Sequence, residues 1–137
     1  MKAYVDSSVV IRWLLKEPGA FLRWSALDLA VASELQQVEV FRTLDRLRIL
    51  GRLTDAEIAE KTSLFRRFTA SLEVLPLARP VLQRAAAPFP TVLGALDAIH
   101  LATALLWIED NSEPLTFLTH DGQLAVAARA SGLDVRV

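Results

Sequence analysis

Short apolar runs alternate along this chain with segments of helical periodicity. Ala3-Tyr4-Val5 is a β-type run ending at Asp6, and after Ser7-Ser8 the stretch from Val9 to Leu15 suits a helix with a mostly buried surface. Pro18-Gly19 breaks it, a second short helix is predicted over Ala20 to Ala26, and Leu29 to Ala32 reads as a buried parallel strand. Ser33 with Gln36 has the spacing of a helix-capping box, and Leu35, Val38, Phe41, Leu44 and Leu47 then recur at helical spacing to about Leu50, where Gly51 stops them. Thr54 with Glu57 repeats the capping pattern and opens a helix to about Thr69, so these two helices are expected to form a hairpin.

Leu72 to Leu75 is the next predicted strand, Pro80 to Ala87 a short helix, and Pro88-Phe89-Pro90 a rigid loop. From Ala95 to about Ile108 the chain is apolar almost all the way round, which places that helix in the interior. Leu115 to Thr119 is a strand, Asp121 to Ala130 a helix, and Leu133 to Val137 a last strand. Strands alternating with helices imply an α/β fold with a mainly parallel sheet covered on both faces. No repeat or linker interrupts the pattern, so residues 1–137 are expected to form one domain.

Composition narrows the chemistry. With 53% apolar and 23% charged residues the chain reads as globular, and the absence of cysteine removes disulfides and thiolate metal sites. A bound metal would need oxygen or imidazole ligands. No apolar run approaches a membrane span, and the first residues lack the layout of a signal peptide, so a soluble cytoplasmic protein is expected. The net charge of −1 gives no global pull toward nucleic acid, which leaves phosphate binding to local arginines or to cations.

The candidate chemistry lies in four acids. Asp6 and Asp121 each stand just after a strand, where doubly wound folds open a crevice for ligands. Glu39 lies early in a helix that follows another strand, flanked by Val38 and Val40, and Asp97 sits near the start of the interior helix. Carboxylates held together at one edge repel one another unless a hard cation such as Mg²⁺ or Mn²⁺ neutralises them. Plainer roles are open for each: Asp97 and Asp121 suit helix N-caps, and Glu39 suits an i,i+3 pair with Arg42. Ser7 and Ser8 suit caps of the first helix, and Ser8 can also orient Asp6 or a metal-bound water. His100 and His120 lack the spacing of a zinc pair and are read as packed or surface residues. Arg42, Arg46, Arg48, Arg52, Arg66 and Arg67 read as a solvated face, with Arg42 the one to test. Trp13, Trp24 and Trp107 are read as packing residues.

In order and spacing, four segments resemble the PIN-domain nucleases, and specifically the VapC-type toxins of type II toxin-antitoxin pairs. They are Tyr4 to Ser8, Ser33 to Arg42, Leu96 to Ala104, and Leu118 to Asp121 followed by Leu124, Ala127-Ala128 and Gly132. The resemblance implies a three-layer α/β/α fold in which Asp6, Glu39 and Asp97 match the first three catalytic, metal-binding acids. Asp121 matches the fourth by its place after a strand. Ser8 matches a hydroxyl residue beside the first acid, and Arg42 a basic residue after the Glu. It further implies cleavage of RNA, such as tRNA or rRNA, with Mg²⁺ or Mn²⁺ polarising the scissile phosphate and activating water. A cognate antitoxin and a homodimer are the implied partners. A catalytically silent PIN-like binding module and a receiver-like phosphoryl switch are the alternatives. The switch fits worse, because Leu75-Pro76-Leu77 and Leu118-Thr119-His120 supply neither its phosphoacceptor Asp nor its late Lys.

Overall fold

The computed structural model describes residues 1–136 and contains a five-stranded, wholly parallel sheet. The elements run β1 (Lys2–Val5), α1 (Ser7–Leu14), β2 (Leu29–Ser33), α2 (Leu35–Ile49), α3 (Asp55–Thr69), β3 (Glu73–Leu75), α4 (Arg79–Ala86), α5 (Ala95–Asn111), β4 (Thr116–Leu118), α6 (Gly122–Ala130) and β5 (Asp134–Arg136). In space the strands lie in the order β3-β2-β1-β4-β5. The chain therefore winds outward from β1 to β3, then returns past β1 to lay down β4 and β5.

Parallel crossovers keep one hand, so reversing the winding direction moves the covering helices to the other face. The core divides accordingly. Ala3 and Val5 pack on one side with Val9, Val10 and Leu14 of α1, Val40 and Leu44 of α2 and Phe65 of α3. Tyr4 points the opposite way, as alternation along a strand requires, and packs with Val31, Phe117, Leu101 and Trp107 of α5 and Leu124 of α6. The result is a three-layer α/β/α sandwich. Fully burying a side chain such as Leu14 or Leu101 contributes about 1.5–3 kcal/mol each.

Local signals account for most boundaries. Thr54 and Glu57 form the expected reciprocal capping box at the start of α3. Lys61 of α3 is buried and donates from Nζ to the carbonyl of Leu14 at 2.8 Å, so it closes the C-terminus of α1. Trp13, Trp24, Phe21 and Phe68 form an aromatic cluster beside that contact.

Three expectations are corrected. The predicted helix over Ala20 to Ala26 is only a 3₁₀ turn at Trp24–Ala26, because the nine residues between Gly19 and Leu29 must carry the chain back to β2. The Ser33 and Gln36 capping box does not form. Ser33 Oγ accepts from Leu35 N, while Gln36 is buried and donates from Nε2 to the carbonyl of Val5, tying α2 to the end of β1. The first helix is capped by Asp6 and not by Ser7 or Ser8. The predicted last strand is observed over Asp134–Arg136, and Val137 lies outside the described residues.

Candidate active site

The strand order reverses between β1 and β4, and at such a switch point the two chain ends diverge and leave a crevice. Asp6 ends β1 there and is 4% exposed. Its Oδ2 accepts from Ser8 N at 3.3 Å, from Ser8 Oγ at 2.5 Å and from Thr119 Oγ1 at 2.9 Å. Thr119 follows β4, so the last bond spans the crevice. Ser8 Oγ accepts in turn from His120 N at 2.9 Å, and Thr119 Oγ1 accepts from Asp121 N at 3.0 Å. One hydroxyl network thus holds Asp6 and Asp121 in a fixed relation.

Glu39 approaches from α2 with its side chain 24% exposed. Its Oε1 accepts from Ser7 Oγ at 2.8 Å and faces His100 Nε2 at 2.5 Å. His100 is buried on α5, and its Nδ1 lies 2.7 Å from the hydroxyl of Tyr4. Burial and the charge of Asp6 push the Tyr4 phenol well above its ordinary range, so it keeps its proton. The Glu39 carboxylate only accepts, so His100 Nε2 carries a proton aimed at it; Nδ1 accepts from the Tyr4 hydroxyl in the neutral imidazole and donates to it in the imidazolium. Burial works to raise the Glu39 carboxyl, but the hydrogen bond and charge of His100 and the Ser7 hydroxyl outweigh it and hold it below the usual value. Burial likewise works to lower His100, and the hydrogen bond to Glu39 with the charges of Asp6, Glu39 and Asp97 outweighs it, so the imidazole is raised.

Asp97 lies in the first turn of α5, whose N-cap is Gly94, so the capping role open to it in the sequence is not the one it takes. Its carboxyl is raised, first by burial and then by the charges of Asp121 and Asp6, with a smaller push from Glu39. The four acids therefore feel one another. Asp121 does cap α6, its Oδ1 accepting from Leu124 N at 2.8 Å.

Arg42 makes no ion pair with Glu39. It is exposed and pairs with Asp45 at 3.2 Å, one turn further along α2, which also removes the i,i+3 pairing considered for Glu39. Tyr4, Ser7, His100 and Thr119 are the polar contributors that sequence reasoning missed. His100 had a signal: it stands three residues after Asp97 and so shares its helical face.

Whether this set suits a divalent cation turns on donors and charge. The donors are carboxylate and hydroxyl oxygens, the hard type that Mg²⁺ and Mn²⁺ prefer, and Asp97 carries the repulsion that a cation would relieve. Among the described residues no group of three His, Asp or Glu side chains is already arranged to hold a metal ion, with Glu39 turned to His100 and Ser7. In donor type and charge, the carboxylates of Asp6, Glu39, Asp97 and Asp121 suit such an ion.

An α/β fold with carboxylates gathered at its switch point is the class that fold and site define. A family model for the PIN domain matches residues 3–130, and the chain belongs to this family. It is similar to Ribonuclease VapC46 of Mycobacterium tuberculosis (strain ATCC 25618 / H37Rv), 33% identical over 137 residues that span 96% of this chain and 94% of that protein. It is also 30% identical to Ribonuclease VapC47 of Mycobacterium tuberculosis (strain CDC 1551 / Oshkosh), over 94% of this chain and 91% of the relative. Among solved structures, a toxin-antitoxin complex from Klebsiella pneumoniae superposes with a TM-score of 0.67 at 16% identity, covering 99% of this chain and 97% of the other. FitAcB from Neisseria gonorrhoeae superposes with a TM-score of 0.64 at 20% identity, covering 98% and 96%. At these identities the structural likeness speaks for the fold. Among the described residues no helix is long and apolar enough to cross a membrane.

Proposed function

We propose that this chain is a metal-dependent endoribonuclease and the toxin of a toxin-antitoxin pair. Its likeness across nearly the whole chain to proteins named as ribonucleases supports the activity. The observation that carries the site is the Thr119 hydroxyl bridging the switch point, donating to Asp6 Oδ2 at 2.9 Å and accepting from Asp121 N at 3.0 Å; Asp97 on α5 feels the charges of both acids. In this reading Asp6, Glu39, Asp97 and Asp121 hold Mg²⁺ or Mn²⁺ and the substrate is RNA, with tRNA or rRNA the classes to test first. Such a cation supplies Lewis acidity at a phosphodiester.

The chain's own residues set the stage for that chemistry. Ser8 and Thr119 fix the rotamer of Asp6, and Thr119 fixes the start of α6 relative to it. Tyr4 orients His100, and His100 with Ser7 orients Glu39. No side-chain nucleophile is needed. Arg42, exposed on the same helix as Glu39, is available to an RNA phosphate. The partners are a cognate antitoxin, consistent with the toxin-antitoxin complexes that share the fold, and a second copy of this chain. Residues 1–137 act as one nuclease unit in the cytoplasm.

Purified protein with Mg²⁺ or Mn²⁺ is expected to cleave total cellular RNA, and EDTA to stop it. RNA left intact with either ion contradicts the proposal, and so does cleavage indifferent to EDTA.

A further inference from the structure

Beside the acids opens a cleft of about 800 Å³, within the range of nucleotide-sized ligand sites. Thr119 and Asp121 belong to its wall, so it is continuous with the carboxylate cluster. Away from that end its polar lining changes sign. Arg23 from the α1–β2 connection, Arg129 from the last turn of α6 and Arg136 from β5 line it, and Asp121 is the one acid among its described lining residues.

Arg136 is engaged by Asp134 at 2.9 Å, but among the described residues no carboxylate pairs with Arg23 or Arg129. His120 also lines the cleft, and its Nε2 is shielded from solvent with no hydrogen-bond partner among the described residues. A buried polar atom left so calls for a partner. Phe21 and Val135 add an apolar wall.

A basic rim over an apolar floor is the arrangement that binds single-stranded nucleic acid, with phosphates on the arginines and a ribose or base against the floor. A strand whose scissile phosphate lies at the acids must continue outward. Its flanking phosphates meet no positive charge from the carboxylate cluster and need their own cationic contacts. An acidic protein segment would have no reason to run on toward Asp121 and Asp6.

We infer that this cleft is the subsite for the RNA strand flanking the scissile phosphate, with Arg23 and Arg129 binding flanking phosphates. The inference rests on the ribonuclease reading and adds to it where the strand runs. Both arginines are exposed, so their truncation leaves the core intact.

The test measures cleavage of a labelled single-stranded RNA of random sequence in Mg²⁺ by wild type, R23A/R129A and R23K/R129K. The alanine pair is expected to raise KM about 10-fold with kcat within about twofold, and the slope of log(1/KM) against log salt to flatten by about 1.4, two single-strand phosphate contacts. The lysine pair restores most of both. Unchanged KM and slope in the alanine pair, with wild type active, overturn the inference and leave the cleft to an acidic protein segment. A fall in kcat alone also overturns it. If wild type cleaves no RNA, the ribonuclease reading fails and takes this subsite with it.

Discussion

His100 Nε2 stands 2.5 Å from Glu39 Oε1 and 3.5 Å from Asp6 Oδ1, so one buried imidazole on α5 faces two acids from two other elements. Being buried, it takes the part of a positioning residue in the proposed reaction. His100→Ala leaves the Tyr4 hydroxyl and Glu39 without their partner, which costs about 1–3 kcal/mol of stability. Loss of such an orienting contact is expected to lower kcat about 10- to 100-fold. Tyr4→Phe, which removes only the far hydrogen bond, should lower it less. Wild-type kcat in both variants would show that Glu39 does not need this support.

The same pair sets a pH signature in chelator-treated protein. The folded imidazole is raised, so its contribution is full below its ordinary 6.5 and is lost as pH climbs through the raised value. Glu39 is lowered, so its contribution is present above its ordinary 4.5 and is lost as pH falls through the lowered value. Their joint contribution peaks between those ordinary values. The Tm advantage of wild type over His100→Ala, measured by calorimetry, is expected to be larger near about pH 5.5 than near about pH 8.5. An advantage that grows with pH has the wrong sign.

Asp97 carries the opposite balance. Its carboxyl is raised, so its charge opposes folding once pH exceeds the ordinary 3.8. Asp97→Asn is expected to stabilise the chelated protein at neutral pH, by less than about 1 kcal/mol because the residue is only half-buried and solvent screens the repulsion. The same variant should lose RNA cleavage. A lower Tm than wild type in EDTA would mean that Asp97 is not under electrostatic stress.

Thr119 joins the two halves of the site. Thr119→Val keeps the shape but removes the hydroxyl that donates to Asp6 and accepts from Asp121 N. Stability is expected to fall by about 1–2 kcal/mol and cleavage to slow measurably. Chemical denaturation with RNA cleavage on the same samples checks both, and a variant unchanged in each removes Thr119 from the account.

Much of this was legible in the sequence because it follows from local periodicity. Alternating apolar runs and helical spacings fixed the α/β class, and Thr54 with Glu57 marked the start of α3. Asp6 and Asp121 announced themselves by standing after strands. What the sequence concealed depends on long-range pairing: Ser7 meets Glu39 once β2 lies beside β1, Thr119 meets Asp6 once β4 does, and Tyr4 meets His100 once α5 packs on the sheet. Gln36 misled for a related reason. Its spacing from Ser33 suits a cap, but the Val5 carbonyl at the end of β1 offers a buried partner that local pattern does not reveal.

The central claim, that the carboxylate charges at the switch point perform the cleavage, is tested most directly at Asp6. Asparagine at that position keeps an oxygen for Ser8 N and so preserves the cap of α1 while removing the charge. The measurement is the rate of RNA cleavage in Mg²⁺ by Asp6→Asn and wild type, with circular dichroism confirming that both are folded. A loss of about 100-fold or more in the folded variant is predicted; a rate within about twofold of wild type would contradict the account.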